Sequence, residues 1–301
     1  MIHGLLPLIK PRGITSHRAV ERVRRVFAGH KVGHFGTLDP MAEGLLLVGI
    51  GRGTRFFKFY QDRHKVYSGV VRFGFATETY DREGSPLGEP EDVDLSDVDI
   101  EALLSPFRGE IIQIPPVYSA KKLNGRPLYD YARKGVPIVP KPVKVTVFTL
   151  EGKQIAPDRL AITAETGSGT YIRSLAHDMG EKVGCGAHLE SLERMAIGEF
   201  SVENAIPVGD LDARERGDIS GINVVPMEEM LPEFPRIVVT AQGRAGVLNG
   251  NSLEPREVLR LVSAMPSPWY RIFDETGRLL ALATPAERAG GFAPQLVFPD
   301  Q

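Results

Sequence analysis

The stretch Gly33-His34-Phe35-Gly36-Thr37-Leu38-Asp39-Pro40-Met41-Ala42-Glu43-Gly44 restricts the fold of this chain more than any other segment. Glycines at both ends let a backbone pass close to a bound partner, which a plain helix start does not require. Asp39 followed by Pro40 is also an ordinary way to begin a helix, the carboxylate capping free N–H groups and the proline taking the first helical position. A reactive carboxylate on a close-passing loop and a simple helix start are both open at this point.

Hydrophobic periodicity supplies the surroundings. Thr15 and Ser16 offer N-caps to a helix that buries Val20, Val23 and Phe27 and lines another face with Arg18, Arg22 and Arg25. Residues 45–50 fit a short helix or a buried strand. Residues 66–73, 143–150 and 160–165 alternate as strands, the last two joined by a polar turn at 156–159. A helix is expected around 96–104. Thr170 can cap another that buries Ile172, Leu175, Ala176, Met179 and Val183, with Gly184 just past its end. Strands mixed with helices in this order indicate an α+β chain.

With 301 residues and 42% hydrophobic content, the chain can fill one large domain or two. The prolines around Phe234 place a boundary there, giving domains at 1–232 and 233–301. Pro115 and Pro116 open an insertion at about 115–142. The lysine-free final portion reads as a strand at 236–240, a small helix near 254–261, a hairpin turning at 274–277 and a terminal strand at 296–298, the pattern of a small β-barrel.

The net charge of −2 conceals separated charge. Between Lys10 and His34 stand seven Lys or Arg residues against Glu21 alone; between Tyr118 and Val145 stand seven against Asp130 alone, Lys121 and Lys122 among them. Eight acids and no base fall between Glu83 and Glu101. Such segregation is expected of a chain with one face that meets phosphates, although ordinary solvated helix faces produce runs of the same kind. The single Cys185 fits a reducing compartment. No apolar run approaches the roughly 20 residues needed to span a bilayer, so a cytoplasmic protein without membrane contact is expected.

Phosphate-loop, zinc-protease and nucleophile-elbow motifs are missing, and Gly33 between His30 and His34 spoils a helical metal face, so neither metal nor cofactor is expected. Arg173 falls in the first turn of its helix, where the dipole disfavours a cation by roughly 0.3–1 kcal/mol. A carboxylate from elsewhere in the fold would compensate and be kept ionised by the pair, in a purely structural role or a functional one. Tyr67, between Lys65 and Gly69, stands on an open sheet face or in the core; sequence does not choose.

Four blocks together resemble the TruB family of bacterial tRNA pseudouridine synthases. They are Lys10-Pro-Arg-Gly-Ile-Thr-Ser-His17, Gly33 to Gly44 with its Gly-Thr-Leu-Asp-Pro, Lys65-Val-Tyr-Ser-Gly69 with Gly74-Phe-Ala-Thr-Glu-Thr-Tyr-Asp81, and Gly169-Thr-Tyr-Ile-Arg-Ser-Leu175. Pro115 to Lys121 and Gly184 to His188 add to the likeness, which covers nearly all of residues 1–232. Glu43 departs from the family pattern, replacing a commoner small polar residue, and Arg18 stands where Asp is usual.

The resemblance implies a pseudouridine synthase core, with a mixed, largely antiparallel central sheet flanked by helices and loops, followed by a PUA-like β-barrel that binds RNA. It implies Asp39 as the catalytic aspartate, Arg173 as its ion-pair partner and Tyr67 as the ring against the target base. Tyr171 and Leu192 would line the pocket, His34 would fill the gap left by the departing uridine, and Lys10 with Pro11 would buttress the site as a substrate-binding element. Lys121 and Lys122 would grip phosphates. The expected substrate is the T-arm of tRNA at uridine 55, handled by a stand-alone monomer with no protein partner. Two other readings remain at this stage: a glycosylase using Asp39 and Glu43 as paired carboxylates, and a non-catalytic or guide-RNA-dependent RNA-binding relative.

Overall fold

Alternating polarity becomes sheet wherever one face must be buried. A computed structural model describes residues 2–119, 121–123, 125–262, 266–287 and 290–299, with only the backbone of Lys122. The chain groups into two compact units. The larger takes in Leu6–Ile50 and Thr54–Ile222; the smaller runs from Asn223 onward and includes Gly51–Gly53 and the residues up to Leu5.

The larger unit is mixed α+β. Its main strands are β1 (Gly4–Lys10, in this unit from Leu6), β2 (Val32–His34), β3 (Glu43–Ile50), β4 (Lys65–Phe73), β5 (Gly109–Gln113), β6 (Val143–Ala156), β7 (Arg159–Thr166), β8 (Ala187–Ile197) and β9 (Ile206–Pro207). They lie in the order β9-β1-β3-β8-β4-β7-β6-β5, with β2 on β3. Pairs β8–β4, β4–β7, β7–β6 and β6–β5 are antiparallel, while β3–β8 and β1–β9 are parallel. Residues 45–50 are thus a buried strand rather than a helix.

The two longest helices of this unit among the described residues are α1 (Ser16–Val26) and α2 (Ile172–Val183). Thr15 caps α1, its side chain accepting from the Arg18 N–H at 3.1 Å. The expected cap by Thr170 on α2 is not made. Its hydroxyl donates instead to the Gly167 carbonyl at 3.1 Å, and Tyr171 holds the cap position without a side-chain bond. Ile172, Leu175, Ala176 and Met179 of α2 pack on Val71, Leu160, Ile162, Ala164 and Leu189 of the sheet. Each such large side chain contributes about 1.5–3 kcal/mol by leaving water, so α2 and the positions it carries are firmly seated.

In the smaller unit, β10 (Arg236–Val239), β11 (Val258–Val262), β12 (Tyr270–Phe273), β13 (Leu279–Pro285) and β14 (Phe292–Val297) form a sheet in the order β11-β10-β12-β13-β14. Two features differ from expectation. The sheet does not close into a barrel among the described residues, because the segment that meets Phe292 is Leu253, which the turn Pro255–Glu257 separates from β11. The helix expected near 254–261 is that single turn followed by a strand: Glu254 and Glu257 cap it reciprocally, and β-branched Val258 and Val262 continue it extended. The helix instead is α3 (Ala241–Leu248), capped by Thr240 and weakly signalled because it contains Gly243 and Gly246. Arg271 holds the segment around Phe234, donating to the carbonyls of Glu228, Met230, Pro232 and Phe234.

Candidate active site

Asp39 sits in the loop between β2 and β3, which does not become a helix; its carbonyl accepts only a turn bond from Ala42 N–H at 3.1 Å. The course of this loop is fixed by main-chain clamps from distant parts of the chain. Gly13 N–H donates to the Pro40 carbonyl at 2.8 Å. The Ser16 hydroxyl accepts from Leu38 N–H at 2.8 Å and donates to the Leu38 carbonyl at 3.0 Å. Arg194, on β8 and 2% exposed, donates to the carbonyls of Leu45 at 2.8 Å, Thr37 at 3.3 Å and Gly36 at 3.4 Å. Gly44, at φ +102°, lets β3 cross so close to β8 that a Cβ there would collide with the Arg194 backbone.

Lys10 belongs to this clamp. It is fully buried, and its ammonium donates to the carbonyls of Ala42 at 2.6 Å, Pro11 at 2.9 Å and Ile14 at 3.0 Å. Burial pushes its pKa down to about 8. The first sequence block thus works as a brace for the Asp39 loop.

Arg173 projects from the first turn of α2 and is 4% exposed. Its guanidinium meets the Asp39 carboxylate at 2.9 Å and that of Asp81 at 3.4 Å, and donates to the carbonyls of Thr79 at 2.9 Å and Tyr118 at 3.0 Å. Two anions and two carbonyls offset the unfavourable dipole. The Asp39 side chain remains 36% exposed, so its second oxygen faces open space.

That space has two parts. A cleft of about 490 Å³ is lined by Asp39, Tyr67, Lys121, Tyr171, Arg173 and Leu192, bringing together six of the residues singled out from sequence. Tyr67 reaches it from β4 and Leu192 from β8. Gln113 fixes Tyr171 by accepting from its N–H at 2.8 Å and donating to its carbonyl at 3.0 Å. Burial raises the pKa of the Tyr171 phenol. Lys65, Lys144 and Arg194 also line the cleft, where Asp39 is the only acid among the described residues.

His34 is not in that cleft. It lines a second cavity of about 480 Å³, with His17, Tyr129 and Arg133, and Asp39 and Arg173 line both. Burial, with Arg194 nearby, lowers the His34 pKa and favours its neutral ring. Glu43 lines neither cavity and pairs with Arg12 at 2.6 Å. The side chain of Lys122 lies outside the described residues.

Asp81 and Arg194 were missed as site residues. Asp81 lies within a quoted block, but nothing local marks it as facing Arg173. Arg194 carried a weak signal, a cation two places from buried Leu192 on a strand with a buried face.

A family model described as TruB family pseudouridylate synthase (N terminal domain) matches residues 24–172, and one described as tRNA pseudouridylate synthase B C-terminal domain matches 173–231. A tRNA pseudouridine synthase B of Solibacter usitatus is 40% identical over 279 residues, covering 93% of this chain and 94% of that protein. One from Thermotoga maritima is 38% identical over 296 residues, covering 98% and 94%. Among solved structures, the archaeal box H/ACA sRNP Nop10-Cbf5 complex aligns with a TM-score of 0.71 at 25% identity, over 98% of this chain and 86% of that one.

Proposed function

Since the chain belongs to the TruB family and is an isomerase acting on uridine in tRNA, we propose that it converts uridine 55 of the T-loop, flipping the base into the cleft where Asp39 carries the reaction. The observation that most supports this reading is the 2.9 Å pair of Arg173 and Asp39 at the edge of a cleft that also holds Tyr67. Pseudouridine formation breaks the N1–C1′ bond, turns the uracil while it stays bound, and joins C5 to C1′ with loss of the C5 proton to N1 overall. Atoms and oxidation level are conserved, so no oxidant, reductant or group donor is consumed.

Asp39 attacks C1′ as a nucleophile, or removes a proton at C2′ to give a glycal; its free oxygen serves either route. Arg173 holds the carboxylate oriented, so little reorganisation is left for the reacting complex. Tyr67 and Leu192 pack against the uracil. Stacking worth roughly 1–3 kcal/mol per base offsets part of the cost of extruding it. His34 fills the vacated stack from the second cavity. The cationic lining of the cleft suits a polyanionic strand. No helix among the described residues is long and apolar enough to cross a membrane, and we place the enzyme in the cytoplasm as a stand-alone monomer. The PUA-like domain at 233–301 adds RNA contacts beyond the catalytic domain at 1–232.

Glu43 is turned to Arg12, which leaves the glycosylase reading without its second carboxylate. The deciding experiment uses a T-arm stem-loop containing 5-tritiated uridine, with no other protein present. Wild type is expected to release tritium and leave the RNA mass unchanged; Asp39→Asn is expected to bind as tightly and release none. Full turnover by Asp39→Asn, or free uracil from wild type, would overturn the assignment.

A further inference from the structure

The loop that presents Asp81 passes through a conformation its sequence disfavours. Tyr80 has φ +63°, the left-handed region, which an aromatic residue keeps only where its surroundings hold it. Its N–H donates to the Thr77 carbonyl at 3.1 Å, and its carbonyl accepts from Leu189 N–H at 3.0 Å. Its ring lies flat on the imidazole of His177, with centroids 3.9 Å apart and planes within 8°.

His177 follows Arg173 by one turn of α2, so the two side chains sit one above the other on the same helix face. The loop is held to the helix at both levels. At the upper, Arg173 takes the Thr79 carbonyl and the Asp81 carboxylate, the residues on either side of Tyr80. At the lower, the rings stack. The His177 Nδ1 is buried with no hydrogen-bond partner among the described residues. An imidazole that forgoes such a bond contributes its flat face, and burial lowers its pKa toward the neutral form. Neither Tyr80 nor His177 lines either cavity.

We propose that the Tyr80–His177 stack is a positioning clip: it docks the 79–81 loop on α2, so that Thr79 and Asp81 hold the Arg173 guanidinium against Asp39. Without the stacked ring, the left-handed turn relaxes, the carbonyl and carboxylate leave the guanidinium, and the ion pair loses its fixed orientation. The clip rests on the reading that Asp39 carries the reaction.

The test is kcat, KM and stem-loop affinity for wild type, His177→Ala, His177→Phe and Asp39→Asn in one series. His177→Ala is expected to lower kcat about tenfold, as small misplacements of a reacting group do, with KM and affinity unchanged. His177→Phe, which restores a flat ring, is expected to recover most of the rate. Tyr80→Leu, apolar but without a ring, is read the same way should His177→Ala fail to fold. A full-rate His177→Ala overturns the clip, as does a loss that phenylalanine does not repair or one that falls equally on affinity. An inactive wild type or an active Asp39→Asn sinks the underlying reading as well, so the two failures are told apart.

Discussion

At Asp178, next to His177 on α2, burial opposes a charge. Desolvation, followed by the neighbouring Glu181, raises its pKa to about 6. The folded chain therefore holds this proton across the window from about pH 4 to pH 6, where the unfolded chain has released it, and stability falls as pH rises through that window. Asp178→Asn removes the penalty. With allowance for solvent screening of a half-buried group, it is expected to add about 1 kcal/mol and about 2–4 °C of Tm at pH 7.5, and nothing at pH 4. Thermal melts at both pH values check this; an equal gain at pH 4 would refute it. Other residues of the site differ in how legible they were. Arg173 could be picked out because a cation in a first helical turn breaks a local rule. Arg194 gave only a weak signal and Lys10 was named only through the family resemblance, because a cation satisfied by carbonyls reads like a solvated one until the fold brings those carbonyls to it. Asp81 was hidden for the same reason: its partner lies on another element.

Elements were legible where periodicity was long and their ends were marked. Strands β4, β6 and β7 and helices α1 and α2 fall close to where alternation and capping put them, with Gly184 closing α2 at φ +92°. Pairing order was not readable, since the parallel β3–β8 contact joins segments far apart in sequence. Two glycines separate local from tertiary demands. A Cβ at Gly184 would meet nothing within 4 Å, so Gly184→Ala is expected to cost only the left-handed penalty, about 1 kcal/mol. At Gly44 a Cβ would strike the Arg194 backbone, and Gly44→Ala is expected to cost about 3 kcal/mol and to impair turnover, because the collision displaces the Asp39 loop. Denaturant midpoints and single-turnover rates distinguish the two; equal costs would show that β3 can move away from β8 without penalty.

At the scale of the molecule, the near-neutral total was uninformative and the distribution of charge was not. Lys121 and Lys144 from the basic stretch before Val145 line the cleft, and Arg133 lines the second cavity. Affinity for tRNA is therefore expected to fall steeply as salt rises, and Lys121→Ala should reduce the slope of log affinity against log salt by about 1 while sparing kcat. Filter binding between 50 and 200 mM salt, as rough working limits, measures the slope; an unchanged slope removes Lys121 from the RNA contact. The small C-terminal unit was the least legible part. Its strands are short and its helix contains two glycines, so local propensity gave way to packing around Ile237, Ile272 and Leu280.

The bracing of the Asp39 loop has a consequence for redesign. Lys10, Gly13 and Arg194 grip carbonyl oxygens, and Ser16 grips both the N–H and the carbonyl of Leu38. Peptide oxygens are common to all twenty amino acids, so an outward position such as Thr37 can be varied to recontour the chamber while the acid keeps its coordinates. A library aimed at new RNA targets belongs there rather than in the brace.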